Sequence, residues 1–531
     1  MSQTAERKKA SFSEKEFLSK ATPMMRSVYE RWGGNPVVAE DLWKAIQNKE
    51  KVMEFWRQKH EGVEAELAPY AERLADALVS AYKAGGLAAA KRAAFEFFDR
   101  EKYGERKLAD RLLPDASEAL QHESGTMLKF SRLPLFTCPG ADVCGAHCYA
   151  LHGHYTMEPV KDAILRQDAF IQLLEKKLIE RVGREPELLR RGGPLALAAG
   201  LMGAALAGAV EAAGGAEIVR LHDSGDFNDP VYAAAWMVAA RLLPRRHFYT
   251  YTKTFPIDDS GWKIWGGAVA YYSKLFGEPP PKNFAVNLSA TSTNFHVLPK
   301  AAEGFAELGI QTPGIFFYAP GNMAEYYDDE EKWRRLAEAL VEAAARTTGR
   351  KLVLEIEHGL GARRGAKSAS NLQTVVEEVV NYAERAGVSL KVVVPTTAYM
   401  EGGAVDEEKT KSLREIAEEL AGKFPHSAAN EGRWAKTVEG KTAEMSRDVE
   451  VFEVPGAGEP VEVFIEPGGE KACTLCRRCV IAPHSPQRQS AAKRVTVRLG
   501  APISVEAPLA VPAEEAAGEE VKRRKKRAVA A

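Results

Sequence analysis

Between Gly125 and about Pro395, short β-branched or aromatic runs alternate with longer amphipathic runs. That order is the one repeated β/α units around a parallel sheet require. It predicts strands at Ile218–Leu221, Phe248–Tyr251, Phe284–Leu288, Ile315–Tyr318, Leu352–Ile356 and Leu390–Val394, with two more near Met127–Phe130 and Val461–Ile465. Helices are predicted at Met157–Val182, Val231–Leu243, Glu330–Ala345 and Leu372–Ala386. A strand count approaching eight sets the expectation of an α/β fold, a full or partial (β/α) barrel, and a doubly wound open sheet fits the same alternation. Residues 1–123 read as a helical N-terminal domain, because Ala39–Lys59 and Pro69–Tyr82 carry apolar residues three and four apart. The barrel-like core then spans 124–483. Residues 484–531 form an extension that becomes rich in Ala, Pro and Glu and ends on Lys522, Arg523, Arg524, Lys525, Lys526 and Arg527. Such a run reads as a solvated, disordered tail, with a nucleic-acid contact as the alternative.

The 531 residues, 45% hydrophobic and 27% charged, suffice for one large domain or two to three ordinary ones. A formal net charge of −1 excludes a chain-wide electrostatic grip on nucleic acid or on an anionic membrane. The first residues, MSQTAERKKASFSEKEF, hold no apolar stretch behind their basic residues, so the expected location is the cytosol. The soft run Pro194 to Ala213 is expected as a buried helix rather than a membrane span.

All six cysteines fall in two tight triads. In a reducing compartment they read as metal or cluster ligands rather than disulfides. Cys138, Cys144 and Cys148 lie between a predicted strand and a predicted helix, on a loop at the strand's carboxyl end, where β/α folds place their chemistry. Three thiolates can converge on one centre and leave a coordination position open. His152 or His154 as a fourth ligand would instead close a zinc site, so iron–sulfur and zinc both remain open. Cys473, Cys476 and Cys479 have the C-x₂-C-x₂-C spacing that opens a bacterial ferredoxin motif, with Pro483 in the place of the fourth cysteine. His484, an exogenous molecule or Cys138 could supply the missing ligand.

Polar residues gather at the ends of the predicted strands. Ile218–Leu221 runs into His222, Asp223, Ser224, Gly225 and Asp226. Helix capping by Asn228 or Asp229 explains those two residues but not Asp223, Ser224 and Asp226 together. The next strands end in Thr252 and Lys253, and in Asn287, Ser289, Thr291, Thr293 and Asn294. After Leu352–Ile356 come Glu357, His358 and a Gly-rich basic loop with Lys367 and Ser368. This is a possible anion site, although one residue separates Gly365 from Lys367 and the phosphate-loop geometry fails.

Cys138-Pro-Gly-Ala, Cys148-Tyr-Ala, His222-Asp-Ser-Gly-Asp-Phe, Tyr251-Thr-Lys and the late cysteine segment together resemble the gene-product-88-like proteins of bacteriophages and plasmids, over roughly Gly125 to Pro483. A more distant resemblance is to radical S-adenosylmethionine enzymes, whose usual C-x₃-C-x₂-C motif here has spacers of five and three. That likeness implies a [4Fe–4S] cluster on Cys138, Cys144 and Cys148 that binds and reductively cleaves S-adenosylmethionine. It puts His147 toward the adenine and Ser224, Gly225 and Asp226 at the methionine amine, with an auxiliary cluster on Cys473, Cys476 and Cys479. Asn287 and Ser289 join the candidate cofactor contacts, and Asp223, Ser224, Asp226 and Lys253 are the candidate catalytic residues. Two other functions compete. One is a zinc-stapled nucleic-acid or protein-interaction module helped by the basic tail. The other is a phage DNA-metabolism enzyme with a structural cluster, using Asp223, Asp226 and Glu357 as metal carboxylates.

Overall fold

The computed structural model describes residues 13–114, 127–319, 330–356, 378–406 and the strands between 427 and 467, apart from short internal gaps. The second cysteine triad, Glu357, His358, Lys367, Ser368, most of the helix expected at Leu372–Ala386 and the tail lie outside the described residues.

Seven strands follow one another in parallel: β1 (Met127–Phe130), β2 (Ile218–Leu221), β3 (His247–Thr252), β4 (Phe284–Ala290), β5 (Gly314–Ala319), β6 (Lys351–Ile356) and β7 (Ser389–Thr396). Each pairs with the next in sequence order. Pro460–Pro467 adds to β7 in parallel, and Lys441–Glu453 and Ser427–Val438 extend that side antiparallel. The fold is therefore α/β with an open sheet. The expectation of a full barrel is corrected, since closure needs the first strand to pair with the last. Here β1, four residues long, is an outer edge, and an antiparallel pair occupies the opposite one.

The helices are α1 (Glu14–Lys20), α2 (Pro23–Arg31), α3 (Pro36–Arg100), α4 (Leu108–Leu112), α5 (Ala141–Cys144), α6 (Glu158–Gly183), α7 (Pro186–Leu189), α8 (Pro194–Ala212), α9 (Pro230–Leu242), α10 (Asp259–Phe276), α11 (Leu298–Glu307) and α12 (Glu330–Arg346). The long α3 is broken at Gly85 and Gly86, where Gly86 takes φ +67°. Its buried residues, such as Leu74, Leu78 and Phe98, join one continuous core with Leu128, Phe130, Val219 and Leu221 of the sheet.

α8 is apolar on all sides because it is covered on all sides. It is the one described helix long and apolar enough to cross a membrane, yet 89% of that span is buried within the protein, as expected for a core helix. Its small residues set how near its neighbours come. A Cβ on Gly203 would lie 2.5 Å from Val238 Cβ in α9, and one on Gly208 would lie 2.6 Å from Ala94 Cβ in α3.

Strand alternation separates two faces. Leu128, Phe130, Leu221, Phe248 and Val286 point into the helix-covered core. Met127, Ile218, Tyr249 and Ala285 form a small second cluster on the other face, and the register Lys129–Arg220–Tyr249–Ala285 places two cations in that row. This polar face and the carboxyl ends of β1 to β4 carry the candidate chemistry.

Candidate metal centre at the carboxyl edge of the sheet

Beyond β1 the chain stays zipped to the turn after β2. Asp223 N–H donates to Phe130 O at 3.0 Å, and Arg132 N–H to Ser224 O at 2.8 Å. Ser224 Oγ donates to Arg132 O at 2.8 Å. The Arg132 guanidinium is buried; it donates to Asp168 at 2.6 Å and Asn228 at 2.9 Å and lies 4.5 Å from the Tyr232 ring centre. That pairing offsets the large cost of enclosing a charge. Gly225 takes φ +84°, and a Cβ there would sit 2.6 Å from Arg132 Cβ and 2.7 Å from Thr137 Oγ1, so the two loops meet only because it is glycine.

The cysteine loop is held from both sides. On one side Phe136 stacks on Trp56 of α3 with ring centres 4.9 Å apart, and Asn48 donates to Gly145 O at 3.0 Å. A Cβ on Gly145 would be 2.8 Å from Ala45 Cβ. On the other side Gly140 lies against Lys253, with room for no Cβ, since one would be 2.3 Å from Lys253 O. The loops after β1, β2 and β3 thus form one packed edge.

Cys138, Cys144 and Cys148 are not joined in disulfides with one another, and each is half-buried. Burial pushes the Cys138 thiol well up, and the charges of Asp226, Cys144 and Cys148 push it further. Cys148 is pushed up to about 12 by burial and Cys144, against the pull of a backbone hydrogen bond and the Lys253 ammonium. The sulfurs are near enough to oppose one another's ionisation, so the loop by itself favours neutral thiols and a bound cationic centre would reverse that preference. Among the described residues no three His, Cys, Asp or Glu side chains are already gathered as a metal-holding group. The side chains of His147, His152 and His154 lie outside the described residues.

Asp223 and Asp226 turn different ways. Asp223 accepts from Tyr155 Oη at 2.7 Å and lies 3.2 Å from Arg220 Nη1 and 3.8 Å from Lys129 Nζ, which ties the end of the cysteine segment to the polar sheet face. Asp226 is buried. One of its oxygens accepts from Phe227 N–H at 2.7 Å and Thr252 Oγ1 at 2.8 Å, the other from Lys253 N–H at 2.9 Å and Thr254 Oγ1 at 3.2 Å. Two bonds per oxygen fill a carboxylate's usual capacity. Its carboxyl is raised by burial, and the bonds from Lys253, Phe227 and Thr252 with the Lys253 charge offset only part of that rise. This geometry makes Asp226 a clamp between the loops after β2 and β3.

Lys253 Nζ donates to Ser289 Oγ at 2.7 Å, so the ammonium whose charge acts on Cys148 is anchored on β4. Asn287 is buried one pleat earlier and donates to Thr250 O at 3.3 Å. Asn294 donates to Ser289 O at 3.1 Å and accepts Thr291 N–H at 2.7 Å, fixing the loop after β4. His222, at φ +57°, shares hydrogen bonds with Thr250 at 3.2 Å and Tyr232 at 2.8 Å. Burial and the Arg132 charge hold it well below the usual histidine range, hence neutral. Sequence reasoning passed over Arg132, Thr137 and Tyr155. Arg132 alone carried a signal, a cation two residues after a strand and just ahead of the apolar run Leu133–Phe136.

Fold and site together define an open-sheet α/β protein with a three-cysteine loop at the carboxyl end of its first strand. Residues 101–351 match the family model for gene product 88. The match takes in the cysteine loop, the His222–Asp226 turn, Lys253 and β1 to β5, and it leaves out α1 to α3 and the second triad. Neither a curated protein nor a solved structure matches the chain.

Proposed function

We propose that this gene-product-88-like chain is an iron–sulfur protein and acts as a radical-SAM-like enzyme, with Cys138, Cys144 and Cys148 holding a [4Fe–4S] cluster. The observation that carries the reading is three cysteines, near enough to oppose one another's ionisation, on the loop after the first strand of a sequential parallel sheet. Thiols are the donors such a cluster takes, and three of them leave one iron for another ligand. When bound with S-adenosylmethionine, such a cluster supplies one-electron reductive cleavage. In this reading the open sheet is a partial barrel.

The chain's own residues would then divide the work. Lys253, held on Ser289, offers an ammonium to a carboxylate or phosphate bound beside the loop. Asn287 and Ser289 supply neighbouring hydrogen-bonding groups on β4. Asp226 and Gly225 keep the three loops in register, and Asp223 with Tyr155 fixes the far end of the cysteine segment. Cys473, Cys476 and Cys479 would hold an auxiliary cluster.

Anaerobic purification with iron, sulfide and zinc analysis tests this. The expected protein is brown, absorbs broadly near roughly 400 nm, and carries about four irons fewer when Cys138, Cys144 and Cys148 are replaced by Ser. Reduced protein should convert S-adenosylmethionine to 5′-deoxyadenosine and methionine. Colourless zinc protein would replace the reading with a zinc-stapled interaction module. Iron without affinity for S-adenosylmethionine would turn it toward an enzyme of DNA metabolism with a structural cluster.

A further inference from the structure

α3, which lies outside the family match, is joined to α6, which lies within it, by a ladder of ion pairs. Lys59 Nζ of α3 is 3.2 Å from Glu158 and 3.0 Å from Asp162 of α6. Glu66 then pairs Arg166 at 2.6 Å, Glu72 pairs Lys177 at 2.7 Å, Asp76 pairs Arg181 at 2.6 Å, and Lys83 pairs Glu185, just beyond α6, at 2.6 Å. The residue numbers rise together, so the two helices run parallel along the ladder. One exposed pair contributes little. The order of the signs does more. It runs plus, minus, minus, minus, plus along α3, and α6 answers with the opposite sign at every rung. A slip of one turn either way would set like charges together, Lys59 on Arg166 and Asp76 on Glu185, or Glu66 on Asp162 and Lys83 on Arg181. The ladder therefore specifies one register.

That register matters to the cysteine loop. The last rung, at Lys83, comes just before the break at Gly85 and Gly86, so the part of α3 beyond the break does not dictate where the part before it lies. The part before it carries Asn48, which holds Gly145 O, and Trp56, which stacks on Phe136. α6 begins at Glu158, where the cysteine segment ends, and Glu158 is itself in the first rung. The loop is thus strung between two helices whose relative position the ladder sets. A slip of one turn, about 5.4 Å, would carry Asn48 and Trp56 out of reach of their partners.

We propose that the ladder docks the N-terminal helices on the family core in a single register and thereby seats the cysteine loop, with Lys59, Glu66, Glu72 and Asp76 as positioning residues. The ladder requires no bound metal, so the proposal stands or falls apart from the iron–sulfur reading.

The test reverses the middle rungs in the full chain. Arg166→Glu, Lys177→Glu and Arg181→Glu together oppose like charges at the surface of the α3–α6 contact. Adding Glu66→Lys, Glu72→Lys and Asp76→Lys restores opposite charges with the signs exchanged. Arg346→Glu, which breaks the pairs with Glu303 and Glu342 on α11 and α12, is the control for charge reversal elsewhere. Iodoacetamide alkylation of Cys144 and Cys148 in metal-free protein is read by mass spectrometry. It should run about tenfold faster in the reversed variant and at the parental rate in the exchanged variant and the control. Parental alkylation in a folded reversed variant, or equal acceleration in the control, would overturn the proposal. Should the reversed variant fail to fold, the exchanged one decides. A parental melting temperature and alkylation rate there support the ladder, and failure to restore them overturns it.

Discussion

Gly140→Ala isolates the contact that seats the cysteine loop. Gly140 has φ −85° and ψ 9°, which alanine adopts without strain, so the whole effect is steric. The new methyl would stand 2.3 Å from Lys253 O, 2.7 Å from its carbonyl carbon and 2.9 Å from its Cβ, where ordinary contact begins at 3.4 Å. Two of these atoms are backbone, so one loop must retreat by about 1 Å at an overpacking cost of ~1–3 kcal/mol. The retreat also stretches the 2.9 Å bond from Lys253 N–H to Asp226. At ~2–4 °C per kcal/mol for a domain of a few hundred residues, the melting temperature should fall by ~2–12 °C. Bound metal should fall with it, because Cys138 is two residues away. Scanning calorimetry and metal analysis read the two effects. Gly62→Ala is the comparison, since that exposed α3 glycine has nothing within 4 Å of a new Cβ and should gain ~0.5–1 kcal/mol. Equal melting temperatures and metal contents in the two variants would refute the reasoning.

Asp226→Asn should cost ~1–3 kcal/mol in urea unfolding, because its amide nitrogen would face a buried N–H, from Lys253 or Phe227, that has lost its acceptor. Asp226→Ala, which strands both, should cost more, ~2–5 kcal/mol; an Asn variant as stable as the parent would remove the clamp. Stability should also depend on pH through His222. Its folded pKa is depressed, so above the unfolded value of about 6.5 both states are neutral and nothing changes. Below it the unfolded chain takes a proton the folded one refuses, and stability falls by ~1.4 kcal/mol per pH unit until the folded pKa is reached. His296, lowered to about 4 by burial and Arg31, adds to the same slope. His222→Gln should remove one proton's share between pH 6.5 and 5; an unchanged slope in urea titrations would refute the assignment.

The strands were the most legible part of the fold. β1 to β7 fall within two residues of the runs of Val, Ile, Leu, Phe and Tyr that announce them, because each is buried on its helix face. α10 and α11 were not read from the sequence, although Asp258 caps the first and Gly277 ends it at φ +69°. Their interior glycines hide them, and those glycines answer to packing. A Cβ on Gly267 would lie 2.9 Å from Pro230 Cβ of α9, and one on Gly304 would lie 2.5 Å from Pro256 O. Closure of the sheet was not legible either, because strand number does not say whether the first and last strands meet. At the candidate site, clustering singled out the cysteine loop, and position at the ends of predicted strands singled out the β2 turn and Lys253. The role of Asp226 was hidden, since three of its four partners, Thr252, Lys253 and Thr254, lie some 26 to 28 residues further on and only the fold brings them to it.

The placement of β1 has a kinetic consequence. Its partner β2 begins about 90 residues later, whereas the strands from β2 to β7 begin about 30 to 40 residues apart, so docking β1 carries an extra loop-closure cost of ~1 kcal/mol. Pairings of high sequence separation are the slow ones. The cysteines ride on that outermost strand, and every contact that positions them against the β2 and β3 loops waits for it. The thiols are therefore expected to reach their final seat after the remainder of the sheet has assembled.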